Sequence, residues 1–317
     1  MHYIVTRFLL RDSEAVSQVE LFEKEFRYVV LFSFACNIDR DYVSPVEIRK
    51  GRVINILHIP SRLRNTNPKI VVLVHGACAR MQQLVFIIRE LADKGYGVVS
   101  FDALGCGMSD KPEGADSYRT SEMYADMIEV IRRYSVGNQR AVSLIGHSIG
   151  GAMLTRFAVS ADCASITASV IAITPPVFGN SPNSKRTNVF KLPASVLWLI
   201  RPWMSMQARK LLFGPKATDS LKNMEREASS RNPVYMFKAF YSSIDQEFLS
   251  IPETSMSVPL LLIGAEFDKV CPAAAVEALS KRVNAKFVLA KDCGHQCMQE
   301  DGNQINGIIL RFLKSLE

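Results

Sequence analysis

Six short runs recur along the chain, each apolar along its whole length: KIVVLVH at 69–75, GVVSFD at 97–102, AVSLIG at 141–146, ITASVIAI at 166–173, VPLLLIGAE at 258–266 and KFVLA at 286–290. Stretches of helical pattern separate or follow them, near 79–94, 121–134, from about 149, near 273–283 and near 303–316. A strand covered on both faces is apolar at every position, and a helical crossover returns the chain to a parallel neighbour. The rhythm predicts an α/β protein: a mostly parallel central sheet with helices on both faces. Two earlier runs, RYVVLFSF and GRVINILHI, lie too close together for a helical crossover and predict an antiparallel pair at one edge. EAVSQVELFEKEF, in the first 26 residues, fits a helix without a defined place in this scheme.

The rhythm breaks from about 176 to 255. The break opens on the loop-like PPVFGNSPNSKR and continues with NVFKLPASVLWLIRPWMSMQARKLLF, which holds both tryptophans of the chain. It predicts a helical cap inserted after the sixth strand, over the carboxyl ends of the sheet, where open parallel sheets bind ligands. The domain expectation is therefore an N-terminal extension with a first edge strand over 1–50, a core over 51–175 and 256–317, and a cap or lid over 176–255.

The chain of 317 residues suits one large domain carrying an insertion. No apolar run reaches bilayer length, and the N-terminus lacks the order of a secretory signal. Seven cysteines, an odd number without C-x-x-C spacing, predict free thiols in a reducing compartment, hence a cytoplasmic location. Cys293 and Cys297 flank His295, but no second pair completes a zinc set, so no metal is expected. The net charge is +7, and window 181–250 carries eleven Lys and Arg against five acids. No nucleic-acid-binding motif accompanies this charge. It reads either as a solvated helical face or as a surface for anionic lipid headgroups or an anionic substrate.

Gly146-His147-Ser148-Ile149-Gly150 fits G-x-S-x-G between a strand and a helix, the setting of a nucleophile elbow. The glycines are expected to permit its strained turn. A serine hydroxyl needs a base, a carboxylate to orient that base, and donors for an oxyanion. His295 follows the last strand, where a loop reaches back towards the serine. Asp268 lies just past the strand before it, with Glu266 as the alternative acid. His147 is expected to point its ring elsewhere, and His75 to brace its loop. The oxyanion donors expected are the backbone N–H groups of Ile149, at a helix start, and Ala77, in HGACAR.

VLVHGACA, SFDALGCGMSDKP, GHSIGGA, LLIGAEFDKVCP and DCGHQCMQE follow one another as the motifs of the α/β-hydrolase superfamily do, and from about residue 50 onward the chain resembles that superfamily. The inserted VFKLPASVLWLIRPW and REASSRNPVYMFKAF are most similar to the abhydrolase domain-containing protein 8 group. The resemblance implies the α/β-hydrolase fold. Neighbouring acyltransferase-like branches carry an aspartate five positions after the histidine; here that position is Glu300, followed by Asp301.

The leading functional expectation is a serine hydrolase cleaving an ester, thioester or amide with a hydrophobic, lipid-like acyl group. Its catalytic residues are Ser148, Asp268 and His295, and no cofactor is needed. Acyl transfer to a lipid and a non-catalytic ligand-binding or scaffold role stand as alternatives. Trp198, Trp203 and Met204 are expected to line the substrate site. The apolar cap residues either pack on the sheet or, rimmed with cations, give peripheral contact with an intracellular membrane. The oligomeric state is left open.

Overall fold

The computed structural model describes residues 42–63, 70–135, 142–178, 189–251 and 256–316. The chain divides into two compact units, Met1–Val43 and Ser44–Glu317, and the account that follows concerns the second. RYVVLFSF and EAVSQVELFEKEF lie outside the described residues.

Eight strands form one sheet: β1 (Val43–Arg49), β2 (Arg52–Ile59), β3 (Ile70–Val74), β4 (Gly97–Asp102), β5 (Val142–His147), β6 (Thr167–Ile173), β7 (Leu260–Ala265) and β8 (Lys286–Ala290). Their spatial order is β1-β2-β4-β3-β5-β6-β7-β8. β2 pairs antiparallel with β4, from Asn55 opposite Asp102 to Ile59 opposite Val98. The pairs from β4 through β8 are all parallel. β4, β5 and β7 are buried at every residue, as runs without alternation require.

The edge differs from expectation. The outer neighbour of β2 is β1, joined to it through Lys50 and Gly51, the latter at φ +71°. The run VSPVEIR did not read as a strand because only Ile48 in it is buried and Pro45 cannot donate to a ladder.

The helices are α1 (Val85–Asp93), α2 (Thr120–Tyr134), α3 (Ile149–Ala158), α4 (Ala161–Ile166), α5 (Ala194–Leu212), α6 (Asp219–Ser230), α7 (Val234–Ser242), α8 (Gln246–Leu249), α9 (Ala273–Arg282), α10 (Cys297–Glu300) and α11 (Gly302–Lys314). Helices α5 to α8 form the insertion between β6 and β7. This is the α/β-hydrolase fold.

Strand order reverses at β3, which has β4 on one side and β5 on the other. Connections leaving β3 and β5 therefore diverge, and a crevice opens beyond their carboxyl ends. Ser148 follows β5, and the loop of Gly76 and Ala77 follows β3. Asp268 and His295 follow β7 and β8.

Candidate active site

Ser148 stands between β5 and α3 with φ +52° and ψ −122°. The strain is on the serine itself. Gly146 and Gly150 have no positive φ; they are needed because the chain passes too close for a side chain. A Cβ at Gly146 would lie 2.7 Å from Gly150 backbone, and one at Gly150 would lie 2.6 Å from the His75 carbonyl oxygen. The glycines permit the turn as expected, by leaving room for neighbouring backbone rather than through a positive φ of their own. The Ser148 amide donates to the Ile173 carbonyl at 2.9 Å, tying the turn to the end of β6.

His295 is brought to the serine from 147 residues away: its Nε2 lies 3.0 Å from Ser148 Oγ. Its Nδ1 lies 2.8 Å from Asp268 Oδ2. With Nδ1–H donating to the carboxylate, Nε2 offers a lone pair to the serine hydroxyl. Asp268 Oδ1 accepts from the Val270 and Cys271 amides at 2.7 and 2.8 Å. Both side chains are buried. Glu266 is placed elsewhere: its carboxylate accepts from the Asp292 amide at 3.0 Å and faces Lys291 on the surface. Such an arrangement can transfer the serine proton to a held imidazole as the oxygen attacks an electrophilic carbon.

The loop after β3 runs against this turn. A Cβ at Gly76 would stand 3.3 Å from Ser148 Cβ. The Ala79 amide donates to the Gly76 carbonyl at 3.2 Å, closing a turn with Cys78 at φ +52°. Ala77 sits inside that turn. Ile149 opens α3, where first-turn amides have no partner within the helix. His75 braces the loop as expected: Nδ1–H donates to the Gly76 carbonyl at 2.7 Å, and Nε2 accepts from the Ala103 amide at 2.9 Å.

His147 does more than point away. Its Nε2–H donates to the His295 carbonyl at 2.9 Å, and Thr174 Oγ1 donates to the same oxygen at 3.3 Å. Its Nδ1, without a proton in that tautomer, lies 3.1 Å from Gln83 Oε1 without a hydrogen bond; Gln83 Oε1 accepts the Gly76 N–H at 3.2 Å, and Gln83 Nε2 donates to Gln296 Oε1 at 3.0 Å. Burial pushes the His147 imidazole well below its ordinary pKa, so the ring is neutral. One network thus joins the turn after β3, the nucleophile turn and the base loop. Gln83, Gln296 and Thr174 gave no sequence signal; His147 could have been suspected from its place inside G-x-S-x-G.

The insertion grips the same loops. Asn232 Nδ2 donates to the Cys78 carbonyl, and Arg201 of α5 donates to the Ser229 and Asn232 carbonyls. The Glu300 carboxylate accepts from the Gly294 amide, beside His295, at 3.1 Å and from the Gly214 amide, beyond α5, at 3.0 Å. Burial raises the pKa of Glu300 above the ordinary carboxylate value. Asp301 instead pairs with Lys216 at 2.6 Å.

Trp198 and Trp203 are not packed as a pocket wall. They are 68% and 58% exposed on the outer side of α5, which is anchored by buried Leu197. Met204 is partly buried on the same helix. Asp268, Cys271 and His295 present ligand atoms within 4.8 Å of one another, a spacing that could hold a metal ion. The bonds to Ser148 and to two amides use the same atoms of His295 and Asp268.

The family model of serine aminopeptidase S33 (Hydrolase_4) matches residues 65–302. The chain belongs to this family. The family lies within the α/β hydrolases, and its members are hydrolases. The proline iminopeptidase of Thermoplasma volcanium is 24% identical over 285 residues, covering 82% of this chain and 94% of that one. The AB hydrolase superfamily protein YfhM of Bacillus subtilis is 37% identical over 97 residues, covering 31% of this chain and only 32% of the relative. An esterase of Exiguobacterium antarcticum superposes with a TM-score of 0.72 at 19% identity, over 86% of this chain and 99% of the esterase, which bears on the fold.

Proposed function

We propose that the chain is a serine hydrolase acting on an ester, thioester or amide with a hydrophobic acyl group. The observation that carries this reading is His295, held between Ser148 Oγ at 3.0 Å and Asp268 at 2.8 Å. Ser148 attacks the carbonyl carbon while His295 Nε2 takes its proton. Asp268 holds the ring and favours the imidazolium. The N–H groups of Ala77 and Ile149 receive the oxyanion. His295 then protonates the leaving group. Water, deprotonated by the same nitrogen, releases the acid from the acyl enzyme.

Relatives named as peptidase and esterase support keeping both amides and esters in the class. A relative from Xenopus tropicalis is named epoxide hydrolase 3. A serine rather than a carboxylate at position 148 favours acyl chemistry here. The outward-facing Trp198 and Trp203 give no support to a hydrophobic acyl group; that part of the reading rests on the inward apolar residues of the insertion, Leu197, Met236 and Phe240, and the insertion serves as a lid. Acyl transfer is disfavoured because the position that carries an aspartate in acyltransferase-like branches is here Glu300, whose carboxylate accepts from the Gly214 and Gly294 amides. The narrower likeness to the abhydrolase domain-containing protein 8 group rests on the two inserted segments quoted above. Six buried free cysteines support a reducing, cytoplasmic setting.

The test is turnover of a series of p-nitrophenyl esters of increasing acyl length, set against aminoacyl and prolyl arylamides. The reading expects ester hydrolysis rising with acyl length and lost in Ser148→Ala. Turnover of arylamides alone would replace the acyl-lipid class with an aminopeptidase.

A further inference from the structure

Helix α5 is an oddity in a folded chain. Of its 19 residues only Leu197 is buried, although ASVLWLIRPWMSM is largely apolar. It packs on α6 and α7. Val196, Leu199, Trp203 and Met206 follow one another by three and four positions, so they share one stripe, and Lys210 continues it. Leu197 lies nearly opposite Leu199 on the helical wheel. Leu199 is 72% exposed, and Trp198, Met206, Leu211 and the preceding Leu192 are exposed as well. Scattered apolar residues are ordinary on a surface; a contiguous stripe that includes Trp203, with Trp198 exposed beside it, marks an interaction site.

Charge identifies the occupant. No Asp or Glu occurs from Val189 to Thr218. Lys191 and Lys210 are exposed and Arg209 partly so, and among the described residues no ion pair is formed by these three. Apolar side chains rimmed by cations complement a bilayer interface, with tryptophan rings at headgroup depth and amines beside anionic headgroups. No helix among the described residues is long and apolar enough to cross a membrane. We propose that the outer face of α5 docks this chain on the surface of an anionic lipid bilayer, the helix lying in the interface plane. The insertion also contacts the loop of Cys78 through Asn232 and, through Gly214 and Glu300, the loop of His295, so docking would hold the crevice of Ser148 near the lipid.

The two tryptophans are the only ones in the chain, so their emission reports on this helix alone. Full-length protein is titrated with phosphatidylcholine vesicles, with or without phosphatidylserine. The expected result is a blue shift with anionic vesicles and about a hundredfold stronger partitioning to them, as three basic residues near an anionic surface supply. Added salt should release the protein. Leu199→Ser with Lys210→Ser should weaken co-sedimentation by roughly tenfold or more. Because both side chains are exposed, the fold should survive, which circular dichroism checks. Ser148→Ala should bind as wild type does, so this proposal stands or falls apart from the hydrolase reading. An unchanged emission with anionic vesicles would overturn it. So would equal binding to neutral ones, or a shift that follows protein concentration without lipid, which would make a second copy of the chain the occupant.

Discussion

At Ser148 a non-glycine residue holds φ +52°, a backbone state costing about 1–3 kcal/mol that persists only when its surroundings impose it. Here they do: glycine on either side admits neighbouring backbone, and the Ile173 carbonyl holds the Ser148 amide. Ser148→Ala and His295→Ala should each lower kcat by about 10⁴-fold or more with an unchanged melting profile, because both act in one proton transfer. Asp268→Asn should cost on the order of 10⁴-fold, whereas Glu266→Gln should leave turnover near wild type. A greater loss from the Glu266 change would reassign the acid. The proposed chemistry uses no thiol. Burial pushes Cys78 well above its ordinary pKa and Cys293 up to about 12, so native protein at pH 8 should alkylate slowly at both. A folded Cys78→Ser, Cys293→Ser double variant should remain active in the ester assay.

His147 gives a pH prediction of opposite sign to Glu300. Burial lowers the His147 pKa, so below about 6.5, the ordinary histidine value, the unfolded chain takes up a proton that the native state does not. Its contribution to stability is therefore present above that pH and falls as the pH drops through it. The raised Glu300 pKa makes its own contribution fall as pH rises from about 4.5 upward. Urea melts of wild type and His147→Gln at pH 7.5 and 5.5 separate the two. The variant should lose less stability on acidification than wild type.

Among elements, the close approach of Gly214 and Gly294 fixes how the insertion meets the base loop. A Cβ at Gly214 would stand 2.4 Å from the Gly294 nitrogen, backbone that cannot rotate aside. Gly214→Ala should destabilise by about 1–3 kcal/mol in denaturant melts and should also depress kcat, because it pushes on the loop of His295. The interior strands were legible because burial on both faces leaves apolar residues at every position; GVVSFD coincides with β4. Edges and insertions obey other rules. β1 carries exposed, charged residues at the rim, and α5 turns its apolar residues outward, so hydrophobicity misread Trp198 and Trp203 as pocket wall. Bridging side chains such as Gln83 and Asn232 belong to no local pattern. Their partners are distant in sequence, and only the fold brings them together.

For the whole molecule, the candidate site is assembled at the carboxyl edge of the sheet from four strand ends, with the strands setting where each loop begins. That is why order along the chain, serine then acid then base, could be read before any distance was known. Hydrogen bonds from Gln83 to Gln296, from His147 to the His295 carbonyl, and from the Gly214 and Gly294 amides to Glu300 tie the loops of both halves of the sheet together. The central claim is that Ser148 is a nucleophile activated by His295. A fluorophosphonate probe tests it most directly, because it phosphonylates a serine only where a base and an oxyanion site act together. Mass spectrometry of the folded, probe-treated chain should place the adduct on Ser148, and Ser148→Ala and His295→Ala should show none. A folded wild type that stays unlabelled, or an adduct on another residue, would contradict the account.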